Sequence, residues 1–85
     1  MSSRQLFEII KRFISSARYR YGDVFVEKIS IRKSKYIVYM RIMNNRVKVI
    51  VNKRRVNVRV YCGLKGLEIA VRRMFTREYV KVVKR

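Results

Sequence analysis

Two rhythms of apolar residues divide the chain. Over residues 3–21, Leu6, Ile9, Ile10, Phe13, Ile14 and Ala17 recur at three- and four-residue intervals, which predicts a helix with one apolar stripe. Ser2 and Gln5 have the spacing of a capping box, and Gly22 suits the position just past the helix end. Arg18 and Arg20 complement the dipole in the last turn.

From Val24 to Cys62 the period changes to two and β-branched residues dominate. Four strands fit, near 24–32, 35–43, 46–52 and 55–62. The pairs between them, Lys33 with Ser34, Asn44 with Asn45, and Lys53 with Arg54, suit two-residue hairpins. Asn tolerates positive φ, so the middle pair is the best turn; Lys-Arg is poor turn chemistry, and that loop has room to be longer.

These turns set a register. Met43 opposite Arg46 places Ile42 on Val47, Met40 on Val49 and Val38 on Val51; Asn52 opposite Arg55 places Val51 on Val56, Val49 on Val58 and Val47 on Val60. One face of three strands thus becomes a continuous Val/Ile/Met layer, as a single buried face requires. Ile31, Ile29 and Phe25 extend it, but Glu27 interrupts the alternation. Glu27 marks either a bulge or an inward charge guarding an edge strand.

Helical spacing returns over 64–77, where Leu64, Leu67, Val71, Met74 and Phe75 share a face and Gly63 is the candidate cap. Residues 78–85 suit either a continued helix or a short strand through Tyr79, Val80, Val82 and Val83. The expected fold is α+β, in the order α-β-β-β-β-α: a four-stranded antiparallel meander with both helices on its apolar face. The chain of 85 residues is read as one domain.

Composition enters through charge. Lys plus Arg is 23 against 5 acids, a net +18. Such an excess opposes compaction by self-repulsion, and solubility needs far less. The expected partner is a polyanion, foremost nucleic acid, DNA or RNA. With 49% apolar residues the chain is not a disordered basic tail. The lone Cys62 forms no internal disulfide and reads as a buried, inert thiol. Neither a signal peptide nor a membrane span is evident, which points to the cytoplasm. The lack of His, Pro and Trp is compatible with a thermophilic source.

In the expected register the outward face carries Arg41, Lys48 and Arg59 abreast. Like charges directly opposite one another destabilise a sheet, so Lys48 is expected to burden the fold unless an anion covers the row. Lys28 and Ser30, with Val24 and Val26, complete that face on the first strand. Tyr39, Tyr61, Ile37, Ile50 and Met43 interleave with these cations and with Arg46. Aromatic rings among positive charges are what single-strand-binding sheets use, whereas Met43 or Val26 would suit wedging into a duplex minor groove. Arg32, Lys33 and Lys35 form one basic tip, and Lys53, Arg54 and Arg55 another.

Catalysis is not expected. There is no His, the commonest general base and metal ligand, and no Gly-rich phosphate loop. Glu8 and Glu68 have helix partners at i,i+4 in Arg12 and Arg72. Asp23, Glu27 and Lys28 only faintly suggest a metal-dependent nuclease, since converging carboxylates are missing. No cofactor and no metal are expected. The rival to nucleic acid is an anionic membrane surface met by the first helix, with Lys11, Arg12 and Arg18 opposite Leu6, Phe13 and Ile14. That stripe, however, is needed to cover the sheet. A homodimer and a ribonucleoprotein subunit are both compatible with the chain. In topology alone it resembles the double-stranded RNA-binding domain. That family has three strands and a lysine-rich start to its last helix, where this chain offers only Lys65, so the likeness implies nothing about function.

Overall fold

The structure is a computed structural model describing residues 1–84. Helix α1 spans Ser3–Tyr21 and opens on the expected capping box. Ser2 Oγ accepts from the Gln5 amide at 3.2 Å, and Gln5 Oε1 accepts from the Ser2 amide at 2.9 Å. It ends at Gly22, whose φ of 85° favours glycine and whose N–H donates to the Arg18 carbonyl.

Strands β1 (Val24–Ile31), β2 (Lys35–Ile42), β3 (Asn45–Asn52) and β4 (Val58–Cys62) form one antiparallel sheet in chain order. Helix α2 spans Lys65–Val83 and runs antiparallel to α1, with Phe13 and Phe75 in contact at 5.3 Å between ring centroids. Both helices cover the same face of the sheet. The core there joins Leu6, Ile9 and Phe13 of α1 to Val71, Phe75 and Tyr79 of α2, over Val38, Met40, Val47, Val49 and Val51.

Across β2 and β3 the inner layer is as expected, but the β2–β3 and β3–β4 hairpins close two residues away from the expected register. Ile42 pairs with Asn45, not Val47, because Met43 and Asn44 are the turn, at φ of 50° and 65°. Asn45 closes this turn: its Nδ2 donates to the carbonyls of Ile42 and Met43 at 3.3 and 3.1 Å. Between β3 and β4 the loop is longer than two residues, with Val51 opposite Val58. Asn52 Oδ1 accepts from the amides of Arg54 and Arg55, while the Tyr79 hydroxyl donates to the Asn52 and Arg55 carbonyls at 3.1 and 3.0 Å. Val56, expected in the inner layer, is exposed in this loop. A slip of two keeps every side chain on its face; only the rows slide.

Glu27 is a bulge, where the β1–β2 register shifts between Val26 and Lys28. The extra residue reverses the alternation before it. Val24, expected on the outer face, is fully buried, and Val26 packs against the core. Phe25, expected inside, stands 53% exposed on the outer face opposite Arg41. Ile31, also expected inside, is exposed at the strand end.

The segment over 78–83 continues the helix. Tyr79 and Val82 extend the buried stripe of Val71, Met74 and Phe75 at helical spacing, and buried Glu78 meets Arg12 Nε at 3.2 Å and Lys81 Nζ at 3.9 Å. Leu64 is the N-terminal flanking residue and is half exposed. Cys62, at the end of β4, is half-buried, its Sγ accepting a weak hydrogen bond from the Leu64 amide.

Candidate nucleic-acid interface

The face of the sheet turned away from the helices is open. Its central row runs across all four strands: Lys28 on β1 faces Tyr39 on β2, Tyr39 faces Lys48 on β3, and Lys48 faces Tyr61 on β4. Cation and ring alternate. Lys28 Nζ lies 5.9 Å from the Tyr39 ring centre, and Lys48 Nζ lies 6.0 Å from that of Tyr61. Each ring supplies an electron-rich face that attracts the neighbouring ammonium. Tyr61 is 50% exposed and Tyr39 half-buried. Tyr39 and Tyr61 are two strands apart, a separation of about 10 Å with Lys48 between them. These side chains, with Arg46 and Glu27, line a shallow concavity of about 490 Å³.

The row Arg41, Lys48 and Arg59 therefore does not form. Lys48 is flanked by two tyrosines rather than two arginines, which removes the like-charge burden expected of it. The cross-strand arginine pair on this face is Arg41 with Arg46. Glu27, turned outward by the bulge, lies 3.4 Å from Arg41 Nη2 and offsets that pair. Arg41 Nε, out of contact with water, donates to no protein acceptor.

On the other side of the central row, Ser30, Ile37, Ile50 and Arg59 align. Ile37 is only 7% exposed although it points away from the core. On this side Lys35, Asn52, Asn57 and Arg59 line a smaller concavity of about 190 Å³.

The basic tips are divided. Arg32, whose amide donates to the Lys35 carbonyl, and Lys33 sit at the exposed β1–β2 turn. Arg54 and Arg55 are exposed in loop 53–57. Lys53 turns to the helix side, its Nζ 4.8 Å from the ring centre of buried Tyr36, and stands apart from the open face. Phe25 is the outer-face aromatic that alternation alone misplaced; the signal for it was Glu27, whose break in the pattern is the bulge.

Among the described residues, no group of three His, Cys, Asp or Glu side chains is placed to hold a metal ion, and no helix is long and apolar enough to cross a membrane. Compared with protein families, curated proteins and solved structures, the chain has no match.

Proposed function

We propose that this protein binds single-stranded nucleic acid on the open face of its sheet, largely without sequence preference. Bases stack on Tyr39 and Tyr61, while Lys28, Arg46, Lys48 and Arg59 hold the phosphates, with the exposed Arg32, Lys33, Lys35, Arg54 and Arg55 as flanking contacts. The observation that carries this reading is the alternating row of Lys28, Tyr39, Lys48 and Tyr61. Stacking requires a base with a free face, and the phosphate linking two stacked bases must pass close to the cation between the rings. A duplex hides its base faces and would use only the charges. The minor-groove reading is weaker than the sequence implies, because Val26 is turned toward the core. The membrane reading loses its lipid-facing stripe, because Leu6, Ile9, Ile10, Phe13 and Ala17 are buried.

Competition among single-stranded DNA, duplex DNA and duplex RNA tests the reading. Tyr39→Ala and Tyr61→Ala are each expected to cost about 1–3 kcal/mol of affinity for single strands, with duplex binding nearly unchanged. Equal small losses on every substrate would remove stacking and leave the cations as the whole site.

A further inference from the structure

The segment that builds the sheet accounts for only half of the charge. Residues 22–64, which form the sheet and its loops, hold 11 of the 23 lysines and arginines and 2 of the 5 acids; segments 1–21 and 65–85, which carry the helices, hold the other 12 and 3. Each half therefore carries +9. A protein whose sole partner lay on the sheet would have no use for the second half, which adds self-repulsion.

That second charge has a shaped surface. On the side of the helices away from the sheet, α1 and α2 leave a groove of about 670 Å³ between them. Small residues are among its lining, Ser16 on α1 and Gly66 and Ala70 on α2. Arg20, Arg73 and Arg77 also line it, all exposed, and no carboxylate belongs to its described lining. Tyr19, another lining residue, is 96% exposed. A tyrosine so fully in water contributes nothing to the core. Beside three arginines it repeats, on a helical surface, the combination of ring and cation found on the sheet.

We infer that this interhelical groove is a second nucleic-acid site, in which Arg20, Arg73 and Arg77 take the phosphates of another strand. One monomer then bridges two strands, with the helix–sheet core as the spacer between them. The occupant is set by charge complementarity: planar guanidinium forks match phosphate oxygens bidentately. The inference rests on the sheet face being the first site.

The test mixes donor-labelled and acceptor-labelled single-stranded oligonucleotides with the full chain. Energy transfer is expected, together with two oligonucleotides per monomer in analytical ultracentrifugation. The triple variant Arg20→Gln, Arg73→Gln, Arg77→Gln should lose the transfer and bind one oligonucleotide per monomer, with the first affinity unchanged. The corresponding triple change to Lys should restore transfer, since charge is kept. All three side chains are exposed, so the variants are expected to fold, and an unchanged circular dichroism spectrum checks this. Transfer that persists in the Gln variant would assign bridging to protein self-association and overturn the groove. A wild-type protein that binds one oligonucleotide without transfer overturns the groove alone, whereas one that binds none overturns the sheet reading too. Occupation of the groove by an acidic peptide in place of the second oligonucleotide also overturns it.

Discussion

Tyr79 illustrates how much a single residue decides. Its ring is 2% exposed in the core, and its hydroxyl reaches the carbonyls of Asn52 and Arg55, so it pins loop 53–57 to α2. Tyr79→Phe keeps the ring and removes the tie, at an expected cost of about 0.5–1.5 kcal/mol. Burial also pushes the Tyr79 phenol above its ordinary 10.0. The unfolded chain then loses this proton first, while the folded chain keeps it. The resulting stability is complete below pH 10.0 and is lost as pH rises through the folded value. Thermal unfolding on both sides of that pH should show wild type declining more steeply than Tyr79→Phe; parallel curves would mean that the phenol titrates alike in both states. None of this was legible in the sequence, where Tyr79 suited a helix or a strand equally. Its partners are backbone carbonyls 24 and 27 residues away, and carbonyls leave no mark on residue type.

At the scale of elements, the β2–β3 hairpin was legible in place but not in register. Asn44 and Asn45 announced a turn, and two asparagines in sequence read naturally as its centre. The chain instead puts Met43 and Asn44 there and uses the Asn45 amide to close it. Positive φ suits Asn far better than Met, because the short amide side chain of Asn can hydrogen-bond the nearby backbone and offset the crowding of Cβ, which Met cannot. Met43→Asn should therefore stabilise the protein by about 0.5–1 kcal/mol, raising Tm by several degrees in a domain this small. A lower Tm would mean that the exposed Met43 side chain makes packing contacts that outweigh the strain. The inner layer survived this error because faces repeat every two residues, whereas rows change with every shift. The same distinction explains β1: alternation located the strand, but the bulge at Glu27 decided that Phe25 and Val24 exchange faces.

For the whole molecule, the excess of positive charge links stability to binding through salt. Added salt screens self-repulsion, so Tm of the free protein should rise with ionic strength. Binding should do the opposite. If about 6–10 phosphate contacts form, affinity falls by roughly 10³–10⁵ between 50 and 200 mM salt. Opposed trends in differential scanning fluorimetry and in binding titrations would support a surface kept for a polyanion. An affinity flat with salt would remove nucleic acid as the partner.

The sequence by itself determined the order of elements, the caps of α1, the apolar layer and the sign of the surface. Each follows from local chemistry or from a period along the chain, and neither needs knowledge of which residues meet. Tertiary structure alone decided which residues stand side by side on the open face. The turn at Met43 and the Asx turn at Asn52, held by Tyr79 from the far helix, slid two hairpins by two residues each. That slide separated Arg41, Lys48 and Arg59 and set Lys48 between Tyr39 and Tyr61. Tertiary packing likewise settled that α2 continues through Val83, where Glu78 finds Arg12 across 66 residues of chain. Cross-strand and interhelical neighbours are set by where loops close, and loop 53–57 is tied down by Tyr79, 24 and 27 residues away from the carbonyls it meets.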